Sequence, residues 1–252
     1  MPKPVTLITG ASSGLGAEFA RQCARRGDEI LLVARRQDRL EKLAAELGGK
    51  AHVLVADLAT TGASARLLSE IERRGFSVEI LINNAGFGLA GTFAELPLER
   101  QSEMIDLNIK ALTELTHLVL PGMIARRSGG ILNIASTGAF QAGPGFGVYF
   151  ATKAYVLSFT EALHQELKGS GVRVSALCPG PTRTEFGAVA GARGERFDRL
   201  AAGAGGVVSA GLKGLEANRA VAIPGLTNKI SAQSNRFLPR ALVRRIVAAL
   251  KL

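Results

Sequence analysis

The chain has 252 residues, of which 47% are hydrophobic and 21% charged, enough apolar side chains for one sizeable α/β core. Its formal net charge is +10, but the arginines come mostly as scattered pairs, Trp is absent and only two Tyr occur. That pattern excludes a basic tract with interleaved aromatics, and nucleic-acid binding with it, while no apolar run reaches the roughly 18 residues of a membrane span.

Residues 5–9 read as a buried parallel strand, followed by a glycine turn and a helix to about Arg26. A second strand at 30–34 precedes a helix at 37–47, and a third at 52–56 precedes a helix near 63–73. The fourth strand, 79–82, leads to a mostly continuous helix over 100–126, bent before Pro121. Residues 131–135 form a fifth strand, 147–168 a helix and 172–178 a sixth strand. From about 187 to 215 the chain is Ala/Gly-rich without a clear strand, and reads as a mobile flap over a pocket, containing short helices. A seventh strand at 220–223 ends at Pro224. A helical tail covers about 228–252, its last part a basic amphipathic helix from Pro239 that reads as packing against the domain or a subunit interface.

Short apolar runs alternating with helical patterns predict a single-domain, doubly wound parallel sheet of about seven strands covered by helices on both faces. Cys23 falls in a helix and Cys178 at a strand end, without metal-ligand or redox spacing, so both read as buried, reduced thiols. No signal peptide is visible before the first strand, and the expectation is a cytoplasmic chain without a metal.

Ligands of such sheets bind beyond the carboxyl ends of the strands, and the distinctive residues all follow predicted strands. Thr9-Gly10-Ala11-Ser12-Ser13-Gly14-Leu15-Gly16 joins strand to helix, where glycines let a backbone approach a pyrophosphate and free N–H groups bind it. Tyr149 and Lys153 stand four apart, on one face of a helix, 13 residues after Ser136. An ammonium there favours the phenolate. Bringing a phenol near neutrality takes a downward shift of about 3 pKa units, or about 4 kcal/mol. By spacing alone the pair reads better as a half-buried Tyr beside a solvated Lys, and it is the rest of the chain that reverses this.

Taken together, these motifs resemble the short-chain dehydrogenase/reductase family over about residues 5–186. Thr-Gly-x-x-x-Gly-x-Gly is met by Thr9 to Gly16, and Asn-Asn-Ala-Gly by Asn83, Asn84, Ala85 and Gly86. The family's active-site tetrad falls on Asn108, Ser136, Tyr149 and Lys153. Its Pro-Gly turn is Pro179-Gly180, with the Thr that contacts the nicotinamide carboxamide at Thr184. Thr182 departs from the apolar residue many relatives carry there. The resemblance implies that Tyr149 is general acid in reduction and base in oxidation. It also implies that Lys153 lowers the Tyr149 pKa and bonds the nicotinamide ribose, that Ser136 holds the substrate oxygen, and that Asn108 supports a water chain to Lys153. Asp57 and Leu58 match the adenine-contacting position, and relatives form homodimers or homotetramers through the helices of Asn108 and Tyr149.

An NAD(H) site usually has an acid at the end of the second strand, but here the chain reads Leu31-Leu32-Val33-Ala34-Arg35-Arg36, without an acid before Asp38. A 2′-phosphate beside Arg35, with Ser13 as a neutral donor, favours NADP(H) by about 1.5–3 kcal/mol, and Arg36 is counted with the cofactor contacts. Phe87, Phe140, Phe146 and Phe186 lie in loops that line the family's pocket, which points to an apolar ketone or aldehyde, with Gln141 as one polar contact. A non-enzymatic NADP(H) sensor or assembly subunit is the competing reading. A hydrolase is not, because Ser136 lacks the preceding glycine of a nucleophile elbow.

Overall fold

The computed structural model describes residues 2–191 and 201–249. Strands β1 (Lys3–Thr9), β2 (Ile30–Ala34), β3 (Ala51–Val55), β4 (Phe76–Asn83), β5 (Gly129–Ile134), β6 (Val172–Leu177) and β7 (Val221–Ala222) make one parallel sheet in the order β3-β2-β1-β4-β5-β6-β7. Successive side chains of a strand point to opposite faces, and the sequence feeds both with apolar residues. Ile8, Leu32, Ile82, Leu132 and Leu177 pack on α1 (Gly14–Arg25), α2 (Gln37–Leu47) and α8 (Ala204–Glu216). On the other face, Leu7, Leu31, Leu81, Ile131 and Val174 pack with α3 (Ala63–Arg73), α5 (Leu112–Ala125) and the end of α6 (Gly147–Glu166). Strand order reverses between β1 and β4. The crevice beyond their carboxyl ends is where this topology leaves room for a ligand.

Two elements differ from the sequence expectation. The helix before β5 runs from α4 (Leu98–Ile105) through a π-helical segment, Asp106–Ala111, into α5, so the irregularity lies well upstream of Pro121, which α5 passes through. The last part of the expected flap belongs to the core: α8 buries Val207, Val208, Leu212 and Leu215 against the sheet. Its glycines mark close packing, since a Cβ on Gly211 would lie 2.8 Å from Leu177, and one on Gly214 2.8 Å from Ala222. Before it, α7 (Phe186–Ala190) covers the crevice side, and residues 192–200 of the expected flap lie outside the described residues. The tail forms α9 (Leu226–Ser234) and α10 (Arg240–Ala249).

Below the crevice, Asn83 and Asn133 stand opposite each other on β4 and β5. Asn83 Nδ2 donates to Asn133 Oδ1 at 2.9 Å and to Thr116 Oγ1 at 3.1 Å, and Asn133 Nδ2 donates to Thr160 Oγ1 at 2.9 Å. This buried polar row ties α5 and α6 to the two strands whose ends carry Asn84 to Gly86 and Ser136.

Candidate active site

The glycine turn after β1 is locked to the turn after β4. Thr9 Oγ1 accepts from the backbone N–H groups of Asn84 and Ala85, both at 3.0 Å, and Asn84 Nδ2 donates to Thr9 O at 2.9 Å and Gly10 O at 3.2 Å. Gly16 has no room for a side chain, because a Cβ would lie 2.2 Å from Gly10 O. The first turn of α1 carries no acid, so the orphan N–H groups around Ser13, Gly14 and Leu15 form a site for an anion. Thr184 closes the turn from the β6 side, its Cβ 3.2 Å from where one on Gly14 would stand.

Arg36, rather than Arg35, faces this turn. Its Nη2 donates to Ser13 Oγ at 2.8 Å and to Ser12 Oγ at 3.1 Å, and its Nη1 pairs with Glu185 at 3.1 Å. Arg39 joins the same Glu185 carboxylate at 2.5 Å. Arg35 turns outward to Glu103, at 3.1 Å, and Asp57, at 3.7 Å. Two cations and two hydroxyls therefore converge where the second-strand loop meets the glycine turn, and sequence reasoning missed Arg39 and Glu185 because both lie outside the fingerprint. Asp57 Oδ1 also accepts from Ala59 N–H at 3.1 Å. The Leu58 side chain is core, packed with Leu54 and Leu67, and only its backbone can face a ligand.

The four residues come together from three elements: the π segment, the turn after β5 and α6. Ser136 stands beside Tyr149 and acts to lower its pKa, and Ser136 Oγ accepts from Gly138 N–H at 3.0 Å. Lys153 Nζ lies 5.8 Å from the centre of the Tyr149 ring and donates to Ile134 O at 2.8 Å. Asn108 sits in the π segment. Its amide bonds both backbone groups of Phe87, Oδ1 to N–H at 3.1 Å and Nδ2 to O at 3.0 Å, and Nδ2 also donates to Thr152 Oγ1 at 3.0 Å. Thr152, which the sequence did not single out, donates in turn to Tyr149 O at 2.7 Å. A Cβ on Gly86 would lie 2.8 Å from Asn108 Oδ1 and 3.5 Å from Lys153 Nζ, so the missing side chain is what lets these groups face one space.

The electrostatics differ from the sequence expectation. Burial pushes the Tyr149 hydroxyl up to about 12, with Ser136 acting in the opposite sense, so desolvation dominates at this site. Burial likewise pulls Lys153 from 10.5 down to about 8. The folded chain holds that proton less tightly than the unfolded one. The adverse contribution is therefore full below about pH 8 and relieved as pH rises from 8 towards 10.5. Lys153→Met is expected to raise the midpoint of thermal unfolding at pH 7, with the gain over the parent chain shrinking towards pH 10. Circular dichroism at both pH values measures it, and an equal gain at each would contradict it.

Aromatic rings wall the site. Phe146 and Phe150 lie 6.1 and 6.0 Å from the Tyr149 ring and Phe186 lies 5.3 Å away; Phe87, Met104, Ala190, Val243 and Val247 complete the buried cluster. Phe140 belongs instead to a cluster with Leu112, Ala139 and Leu157. Gln141 Oε1 accepts from Asn235 Nδ2 at 2.9 Å, which engages that polar contact with α9's end. Pro179 O receives Thr137 N–H at 2.9 Å, and Asn228 of α9 fills the space above Gly180. The Thr182 hydroxyl is spent on its own turn, donating to Gly180 O at 2.9 Å.

The sequence profile described as short chain dehydrogenase matches residues 4–193. The chain belongs to that family. The chain is 41% identical over 185 residues to Oxidoreductase UcpA of Salmonella typhimurium, covering 71% of this chain and 69% of that protein. A short-chain dehydrogenase from Sphingobium yanoikuyae, solved in complex with NADPH, superposes with a TM-score of 0.83 at 37% identity, covering 95% of this chain and 94% of that one. A 7beta-hydroxysteroid dehydrogenase structure superposes with a TM-score of 0.87 at 25% identity, covering 98% and 96%. The profile thus spans the first six strands and the helices that carry Asn108, Tyr149 and Lys153, and among the described residues no helix is long and apolar enough to cross a membrane.

Proposed function

We propose that this short-chain dehydrogenase is an NADP(H)-dependent reductase/dehydrogenase that interconverts an apolar ketone or aldehyde and its alcohol. The observation that carries it is the buried Tyr149–Ser136 hydroxyl pair, with Lys153 one helical turn away beneath the bare backbone of Gly86. When bound, the nicotinamide supplies the hydride. Tyr149, kept protonated by burial, gives its proton to the carbonyl oxygen. Ser136 donates a hydrogen bond to the charge growing on that oxygen. Lys153, protonated below about pH 8, restores the phenol's proton through the space shared with Asn108. In oxidation Tyr149 is the base, which favours that direction at alkaline pH.

NADP(H) rather than NAD(H) is supported by the Arg36, Ser12 and Ser13 cluster, by the absence of an acid at the end of β2, and by the NADPH in the Sphingobium relative. Around it, Gly10, Gly14, Leu15, Gly16, Ala85, Gly86, Pro179, Gly180 and Thr184 would hold the dinucleotide. Arg36→Ala is expected to weaken NADPH binding by about 10- to 100-fold and NADH binding far less, as a charge-assisted bond to a 2′-phosphate requires. Titration of the reduced cofactor's fluorescence reads both. The apolar substrate class is supported by the Phe87, Phe146 and Phe186 wall and by the steroid-active structural relative. A panel of ketones and aldehydes, followed at the NADPH absorbance band and repeated with NADH, tests the whole reading. No turnover of any carbonyl, with NADPH bound, would leave a sensor in its place. Assembly as a homodimer or homotetramer and a cytoplasmic location belong to the same proposal; Tyr155 stacked on Phe159 at 5.7 Å marks an outer face of α6 suited to a subunit contact.

A further inference from the structure

The last part of the chain has a charge pattern unlike the rest. Seven of the 31 Lys and Arg residues lie beyond Glu216, and none of the 21 Asp and Glu residues does. Before it, most of the arginines among the described residues join ion pairs, such as Arg21 with Glu46, Arg26 with Glu216, Arg73 and Arg74 with Glu70, and Arg126 with Glu79. Lys229, Arg236, Arg240, Arg244 and Arg245 are exposed and join no ion pair among the described residues.

Apolar side chains stand out beside them. Leu226 and Ile230, one turn apart on α9, are 72% and 60% exposed, and Phe237, in the turn between α9 and α10, is 84% exposed. On α10 only Val243 and Val247 are buried, and they face the Tyr149 cluster. The neighbouring ridge, Leu242 and Ile246, is 44% and 45% exposed. Burying these side chains in water-poor surroundings is favourable, and a helix with an apolar ridge and arginines on its wet side lies in the plane of a membrane interface.

We propose that α9, the Phe237 turn and α10 dock on an anionic lipid bilayer, the apolar ridge entering the headgroup boundary and the five cations facing lipid phosphates. Charge complementarity selects this occupant. A symmetric contact with a second copy would press two acid-free, basic surfaces together, and like charges repel. Resting on the catalytic reading above, docking also names the substrate class. The inner face of α10 is part of the wall around Tyr149, so its outer face on a bilayer brings the site to carbonyl compounds dissolved in the lipid.

Co-sedimentation of the full chain with vesicles tests the docking without cofactor or substrate. With equal parts phosphatidylglycerol and phosphatidylcholine the chain is expected in the pellet at low salt, with less bound as salt rises. With phosphatidylcholine alone it stays in solution. Arg244→Gln and Arg245→Gln each lower the partition about fivefold, and Leu242→Ser with Ile246→Ser lowers it further. A chain that ignores the anionic vesicles, or binds both kinds equally, overturns the proposal. So does a dimer that Leu242→Ser dissociates. For substrate delivery, anionic vesicles lower the apparent KM for a long-chain ketone but not for a water-miscible one, and the double arginine variant loses the difference; an unchanged KM overturns delivery. Tyr149→Phe should bind vesicles as the parent does, which keeps a failure of docking separate from a failure of the catalytic reading.

Discussion

Tyr149→Phe is expected to lower ketone reduction by about 10²- to 10⁴-fold, the contribution of a positioned proton donor, and to leave NADPH binding intact. The hydroxyl is the atom lost, and it meets Ser136 rather than the glycine turn, so the anion site of α1 keeps its groups. The ring stays in its place among Phe146, Phe150 and Phe186, and the fold should lose little. Steady-state rates at saturating NADPH, together with a binding titration, separate the two effects. A variant that keeps more than about a tenth of the parent rate would remove Tyr149 as the donor, since that residue would then supply less than about 1.4 kcal/mol of the barrier reduction.

The second large effect falls on stability. Asn133→Ala removes the centre of the buried row that runs from Thr116 through Asn83 to Thr160. One Asn83 N–H loses its acceptor and Thr160 loses its donor, in a place water does not reach. Each unpaired group costs about 1–3 kcal/mol, and the small cavity adds to it, for about 2–4 kcal/mol in all. In a domain of this size that lowers the unfolding midpoint by about 5–15 °C. Thermal unfolding followed by circular dichroism measures it, and a shift below about 2 °C would show that the row can be emptied without penalty.

Most of the sheet was legible because each strand is a short apolar run with a distinctive turn after it. Ile30–Ala34 and the helices Gln37–Leu47 and Ala63–Arg73 have the bounds that the residue patterns predict. The helix Ala204–Glu216 was not legible. Gly205, Gly206, Gly211 and Gly214 lower its intrinsic propensity, and the reason for two of them, contact with Leu177 and Ala222, exists only in the folded chain. The proposed tetrad came from motif spacing, and Asn108, Ser136, Tyr149 and Lys153 lie near one end of the sheet. What spacing could not supply is the supporting set: Thr9 under the Asn84 turn, Thr152 between Asn108 and Tyr149, and Arg39 with Glu185 beside Arg36. Each acts through a contact between residues distant in sequence. The balance of burial against charge at Tyr149 was misjudged for the same reason, because a four-residue spacing says nothing of how dry the place is.

The π-helical stretch Asp106–Ala111 has a mechanical consequence. Such a stretch is one residue more than an α-helix would hold over the same rise, wedged between α4 and α5. Removing a single half-exposed position there, such as Ile105, lets the hydrogen-bond ladder close in the ordinary way. Everything on the amino-terminal side then swivels by about 100° around the axis. Met104 and the rest of α4 would be turned away from the cluster around Tyr149, and the Phe87 backbone that Asn108 holds would lose that support, although no residue of the tetrad had been replaced. Chain length at this point is thus as much a part of the site's chemistry as the identity of any side chain, and trimming by one is expected to be more damaging than most substitutions nearby.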